Sequence, residues 1–202
     1  MHKILILGSG NFAKYIKDLI DINNEYNFAG YIDSEIKDTV EYTDSNIDKM
    51  KKDGIKYIVN GIGNMPSNNK QISILINNLI HNNFIFPHLF HPSSVISPSA
   101  KIGKGTIVLE NAVIKSNTAV GDFCLLNSLS VVSHDCILGN QNHLSLGSKI
   151  GGGVVMGNNN FLGINSSVNQ KINIGSNVIV GSGSTVIKDL KSNITVVGSP
   201  AI

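Results

Sequence analysis

The stretch LNSLSVVSHDCILGNQNHLSLGSKI, Leu126 to Ile150, puts an aliphatic residue at every sixth place: Leu126, Val132, Leu138, Leu144 and Ile150. Followed outward, the phase holds without a slip from Ile96 through Ile102, Val108, Ile114 and Val120. On the other side it continues through Met156, Leu162, Val168, Ile174 and Val180 to Val186. Gly follows the aliphatic in eight of these sixteen hexads (Gly103, Gly121, Gly139, Gly151, Gly157, Gly163, Gly175, Gly181). The place four after it is mostly small, as at Ala100, Thr106, Ala112, Thr118, Cys124, Ser130, Cys136, Ser148, Ser166 and Ser184. A period of six fits neither an α-helix nor a half-buried strand; it is the hexapeptide signature of a parallel β-helix. Each hexad is a short strand plus a corner, with the aliphatic in a narrow core and Gly and small residues letting the chain turn. Three hexads to a coil stack residues eighteen apart, which predicts a rod of about five coils, roughly 25 Å long.

Composition limits the rest. A chain of 202 residues is long enough to bury a sizeable core as one or two domains. A formal charge of +2, from 16 basic and 14 acidic residues, leaves no electrostatic footprint for nucleic acid or an anionic membrane surface. The apolar run Ile4–Leu7 is broken at Gly8 and is too short to span a bilayer. The start lacks the features of a secretion signal, so a cytoplasmic, soluble protein is expected. Cys124 and Cys136 lie twelve residues apart in the small slot of their hexads, on different faces of the expected coil, and read as small core residues rather than a disulfide.

The first ninety residues follow another rhythm. Lys3–Leu7 reads as a buried parallel strand, followed by Gly8-Ser9-Gly10-Asn11-Phe12-Ala13 and a helix through Ile16, Leu19 and Ile20. A second strand spans Phe28 to Ile32, residues 45–53 suit a short helix, and Tyr57–Val59 a third strand. Helical spacing returns over Gln71–Ile80, and Phe84–Phe86 reads as a last strand. Alternating strands and helices imply a small open parallel sheet, a Rossmann-like α/β domain over 1–90. The β-helix then occupies 91–202, beyond a junction rich in proline and serine.

Gly8-x-Gly10-x-x-Ala13 stands between strand and helix, and Asp33 ends the next strand. In a dinucleotide fingerprint the glycines let backbone approach a phosphate while the carboxylate takes a ribose hydroxyl. A sheet of about four strands is half a dinucleotide fold, so a site for one nucleotide is the preferred reading, beside a plain structural turn. Its expected contacts are Gly10, Asn11 and Phe12, Asp33 with the adjacent Ser34, and Gly63-Asn64 across the sheet edge.

Two histidines, His134 and His143, lie in the hexad region off its inward positions. A surface histidine is the commoner fate, but Asp135 beside His134 suits a general base working near neutral pH.

The segments Val131-Val132-Ser133-His134-Asp135-Cys136-Ile137-Leu138-Gly139, Asn142-His143-Leu144-Ser145, Phe161-Leu162-Gly163-Ile164-Asn165-Ser166 and Val197-Gly198-Ser199-Pro200-Ala201 resemble the sugar acetyltransferases of the hexapeptide-repeat superfamily. The nearest group acetylates nucleotide-linked 4-amino-sugars, as in bacillosamine, perosamine and viosamine pathways; the sialic acid O-acetyltransferases are related. The glycine-rich turn and His91-Pro92-Ser93 extend the resemblance over nearly the whole chain.

The resemblance implies a left-handed β-helix, a homotrimer with acetyl-CoA in the groove between neighbouring chains, and a nucleotide-sugar on the N-terminal domain. It implies His134 as general base with Asp135 beside it, and His143 near the thioester of acetyl-CoA. Gly152 matches a glycine whose N–H faces the thioester carbonyl; Ile164 and Gly181-Ser182-Gly183 match positions along the CoA arm. The resemblance implies no metal requirement. The chain departs from the group in two places. Family members often carry Gly-His where this chain has Asn11-Phe12, and they usually continue past Pro200-Ala201 into a basic residue, where the sequence given ends at Ile202.

The expected activity is acetyl transfer from acetyl-CoA to the 4-amino group of a nucleotide-linked amino-deoxy-sugar. The alternatives are an O-acetyltransferase acting on a sugar such as sialic acid, or a non-catalytic nucleotide-sugar-binding protein. A zinc carbonic anhydrase of the same fold would need three histidine ligands per metal. NAD is the other candidate for the first domain alone, and a bare scaffold leaves that domain unexplained.

Overall fold

The computed structural model describes residues 1–34, 40–63 and 69–201. They form two compact units, one covering residues 1–63 and 69–89, the other running from Phe90 onward.

The first unit is a parallel sheet with helices. Strand β1 is His2–Leu7, helix α1 Asn11–Asn23, β2 Tyr26–Asp33, β3 Tyr42–Thr43, α2 Ile47–Lys52, β4 Tyr57–Asn60 and α3 Asn69–His81. The strand order is β3-β2-β1-β4, all parallel, with β1 in the middle. Ile4, Leu5, Ile6 and Leu7 are therefore covered on both faces, as a central strand demands. Helix α1 turns Ala13, Ile16, Leu19 and Ile20 inward and ends at Asn24, which takes the left-handed conformation and donates its N–H to the Ile20 carbonyl. The expected strand at Phe84–Phe86 shrinks to one bridge between Tyr57 and Ile85. Phe84 and Phe86 are still buried, so apolar burial was legible there while pairing was not. The fourth strand is instead β3, too short and mixed to leave a pattern.

The second unit is a left-handed parallel β-helix of about six turns built from two-residue strands. Its first face stacks Val95–Ile96, Val113–Ile114, Val131–Val132, Lys149–Ile150, Ser167–Val168 and Thr185–Val186. The second stacks Lys101–Ile102, Ala119–Val120, Ile137–Leu138, Val155–Met156 and Asn173–Ile174. The third includes Ile107–Val108, Leu125–Leu126, His143–Leu144, Phe161–Leu162, Ile179–Val180 and Thr195–Val196. Partners are eighteen residues apart, as in Ala119 with Ile137, so each coil is three hexads. From Val108 to Val186 every aliphatic of the hexad phase is buried, and the small slot beside it is buried from Thr106 to Ser184.

Two physical details differ from expectation. The glycines that follow the aliphatics are needed for coil stacking, since a Cβ on Gly121 would lie 2.6 Å from the carbonyl carbon of Gly139. The tight turns themselves use the left-handed conformation two places later, at Asn111, Asn117, Phe123, Leu129, Asp135 and Gln141 among others; asparagine accepts it at low cost. Beyond Val186 the coil loses two residues: Leu190 bridges Ile174 and Thr195 pairs with Ile179, both sixteen apart.

Polar groups also enter the core. Asn142 and Asn160 occupy two small slots and are buried. The Asn142 amide donates to the carbonyls of Gly139 (2.8 Å) and Gly157 (2.9 Å), while its oxygen accepts from the Asn160 N–H at 2.9 Å. A buried amide so satisfied locks the coils in register instead of costing stability. Cys124 and Cys136 are free and buried, and burial pushes the Cys124 thiol up to about 12. No helix among the described residues is long and apolar enough to cross a membrane.

Candidate active site

The α/β unit carries a cavity of about 350 Å³ at the carboxyl ends of its strands, lined by Gly8, Ser9, Gly10, Asn11, Phe12, Asp33, Gly61, Ile62 and Gly63. Ligands of open parallel sheets bind at this edge. Gly8 follows β1 with φ +97, and a Cβ there would stand 2.7 Å from the Ile62 side chain, so the turn is closed to larger residues. Gly61 lets β4 approach closely: a Cβ would strike Ile6 Cγ2 and sit 2.9 Å from the Ala13 methyl. Ala13, the third member of the glycine-rich motif, is small for that reason. Helix α1 opens at the cavity with Gly10 as its N-cap, no side-chain cap and no acidic residue in its first turn. Its free N–H groups and dipole favour an anionic ligand there.

Asp33 is held from two sides. The Ser9 hydroxyl donates to Oδ2, and the Ser34 N–H donates to Oδ1 at 2.7 Å. Gly10, Asn11, Phe12, Asp33 and Gly63 thus line one cavity. Ser34 does not line the cavity; it holds the Asp33 carboxylate from outside. Asn64 lies outside the described residues. Ser9, Gly61 and Ile62 are cavity residues that the motif reading passed over, although Ser9 stands inside the Gly-x-Gly motif itself.

On the β-helix, His134 occupies the corner between the first and second faces. Its Nδ1 lies 2.7 Å from Asp135 Oδ2, so the adjacent pair does make contact. The geometry places the Nδ1 proton toward the carboxylate and leaves the lone pair of a neutral ring on Nε2. Asp135 is exposed, yet its carboxyl is held below the usual carboxylate range, first by the His134 bond and then by the Asn117 amide. One coil on, Gly152 lies against the imidazole: a Cβ there would be 2.8 Å from both Cε1 and Nε2 of His134. Any side chain at 152 would displace the ring.

His143 is an outward residue of the third face, where its ring meets Phe161 edge-on at 4.9 Å. Ile164, Gly181 and Gly183 lie on or beside the next corner, between the third and first faces. Ile164 is exposed there with Leu146 and Leu129. The residues expected around acetyl-CoA therefore fall into two groups. His134, Asp135 and Gly152 share one corner; His143, Ile164, Gly181 and Gly183 are on the third face or its following corner, across the triangular coil. His134 and His143 are nine residues apart, half of an eighteen-residue coil, which puts them on opposite sides. Among the described residues no three His, Cys, Asp or Glu side chains are grouped to hold a metal ion.

Residues 3–75 match the PglD N-terminal domain family. A comparison with curated proteins returned no match. Among solved structures, a mutant of perosamine N-acetyltransferase from Caulobacter crescentus, in complex with CoA and GDP-perosamine, is similar over 100% of this chain and 96% of its own, with 28% identity and a TM-score of 0.93. The acetyltransferase domain of PglB from Neisseria gonorrhoeae, in complex with acetyl coenzyme A, covers 100% of this chain and 98% of its own at 26% identity and a TM-score of 0.92. WeeI from Acinetobacter baumannii, at 24% identity and a TM-score of 0.84, shares the fold.

Proposed function

Since the chain belongs to the hexapeptide-repeat sugar acetyltransferase family, we propose that it transfers acetyl from acetyl-CoA to the 4-amino group of a nucleotide-linked amino-deoxy-sugar. The observation that carries the reading is the corner at His134, with Nδ1 engaged by Asp135 at 2.7 Å and Gly152 against the ring beside Nε2. The Caulobacter and Neisseria relatives, with their CoA, GDP-perosamine and acetyl coenzyme A, support the same chemistry.

The neutral amine attacks the thioester carbonyl carbon, forming the C–N bond as its proton passes to His134 Nε2. The tetrahedral oxyanion accepts a hydrogen bond from the Gly152 N–H, a type of donor typically worth about 3 kcal/mol. Collapse breaks the C–S bond and the thiolate of CoA leaves, taking up a proton. A positioned base contributes roughly 10²- to 10⁴-fold. Asp135 stays anionic and fixes the tautomer. The buried cysteines are poor nucleophiles, which favours direct transfer within a ternary complex.

The split of the expected CoA residues across the coil supports an assembly in which two copies flank each acetyl-CoA. One copy supplies His134, Asp135 and Gly152, and the other His143, Ile164, Gly181 and Gly183. A homotrimer repeats that groove three times in closed symmetry. Exposed Leu146 and Ile164 offer an apolar strip for the pantetheine arm. The nucleotide-sugar is assigned to the cavity at Gly10, Asn11, Phe12 and Asp33, with the nucleotide phosphates toward the start of α1.

The test is a panel of UDP-, GDP- and dTDP-linked 4-amino-sugars incubated with acetyl-CoA, read by free thiol release and product mass. Acetylated amine from at least one of them supports the reading. Thiol release with none, or acetylation only on hydroxyls, contradicts it.

A further inference from the structure

Stacked asparagines are common on this β-helix, and one of them touches the proposed catalytic pair. Asn117 lies one coil before Asp135, and its Nδ2 donates to Asp135 Oδ1 at 3.2 Å, while Asp135 Oδ2 meets His134 Nδ1 at 2.7 Å. The backbones at this corner are fixed independently. The Asn117 N–H donates to the Ser99 hydroxyl at 3.0 Å, the Asp135 N–H to the Ser116 carbonyl at 3.0 Å, and the Gly153 N–H to the His134 carbonyl at 2.9 Å. Packing holds the side chains only in part: Gly152 lies against one side of the His134 ring, while His134 and Asp135 are 59% and 57% exposed. What remains free is rotation of the carboxylate, and a carboxylate that turns takes the imidazole with it. The Asn117 amide opposes that rotation.

We propose that Asn117 is a positioning residue that sets the orientation of His134 through Asp135. The proposal rests on the reading of His134 as general base. It gives Asn117 a different role from the Asn177–Asn193 pair, in which one amide bonds another at 2.9 Å with no candidate catalytic group between them. Asn117 donates one hydrogen bond to a charged acceptor and contributes nothing to the reacting atoms. Its left-handed backbone, φ 57, is open to Gly without strain and to Asp at low cost, so both are clean probes.

The experiment measures kcat and KM for acetyl-CoA and the nucleotide-sugar in H134A, N117G, N117D and D135A, and in D135A combined with N117G. N117G is expected to lower kcat about fivefold with both KM values unchanged, the size of one lost hydrogen bond. N117D keeps the shape but removes the donor and sets like charges together, so its loss is larger, about twentyfold. A space-filling role predicts the reverse order. In the D135A background N117G should have no further effect, because both act through one path. An unchanged kcat in N117G, a smaller loss in N117D than in N117G, or an undiminished N117G effect in D135A overturns the proposal while H134A remains impaired. Full turnover in H134A overturns the general-base reading and this proposal with it.

Discussion

The two units solve the problem of placing polar groups in opposite ways. In the α/β unit the cavity is made by absence: Gly8 and Gly61 stand where a side chain would strike Ile62, Ile6 or Ala13, and Asp33 faces the space so created. In the β-helix the hexad aliphatics fill a narrow core. His134 and Asp135 stand on the outside of a closely stacked coil, and their placement depends on an eighteen-residue register kept by buried Leu, Val and Ile. A cavity tolerates neighbours that move slightly; a corner residue inherits every error in the coil beneath it. The first unit is suited to holding a ligand and the second to holding a geometry.

Breaking the register should be the most costly change. Leu162 is fully buried between Leu144 and Val180, and L162A should lose about 2–5 kcal/mol of β-helix stability. Chemical denaturation followed by far-ultraviolet circular dichroism checks this. All five tyrosines lie in the first unit and the chain has no tryptophan, so tyrosine fluorescence reports the α/β unit separately. G61A should shift that signal alone by about 1–3 kcal/mol through overpacking against Ile6 and Ala13. A fluorescence transition unmoved by G61A would mean β4 can retreat without penalty.

Function should divide along the same line. D33A removes the carboxylate from the cavity, and we expect the KM for the nucleotide-sugar to rise about tenfold, as for one lost charge-assisted contact, with little change in the KM for acetyl-CoA. Equal changes in both constants would show that the two ligands are not held by separate units.

The smallest expected effect is on alkaline stability. Burial, with the bond to Asp53, pushes the Tyr42 hydroxyl up to about 12. Since the folded value is raised, its contribution is complete below the ordinary tyrosine value of about 10 and is lost as pH climbs toward the folded one. Y42F should therefore flatten the decline of the fluorescence-detected transition over that window. In the β-helix, Cys124 has the same sign with a window that opens lower, near its ordinary value of 9.0. An equal alkaline decline in Y42F and the parent protein would contradict the assignment.

How much of this was legible differs between the units for a physical reason. In the β-helix each residue's direction follows from its place in the hexad, so the core and the outward setting of His134 and His143 could be read directly. The two buried asparagines were also visible in principle: Asn142 and Asn160 interrupt the run of small residues at the fourth place. The loss of two residues after Val186 could not be read, because a period carries no information past its last repeat. Nor could the partnership of Asn117 with Asp135, until the eighteen-residue coil had been established. In the α/β unit the glycine-rich turn and Asp33 were legible because strand and helix ends fix their surroundings. Gly63 was placed at that edge from the sequence, whereas the close approach of Gly61 and Ile62 to Ile6, Gly8 and Ala13 follows from the β1–β4 pairing. The two-residue strand at Tyr42–Thr43 is likewise a product of tertiary pairing with β2.

Acetyl transfer in this protein depends first on His134, the proposed base on the corner of the coil. The decisive measurement is kcat for acetyl transfer in H134A, with acetyl-CoA binding measured on the same preparation. The expected result is a loss of about 10²- to 10⁴-fold in kcat with CoA affinity preserved. Turnover at the parent rate in H134A would contradict it.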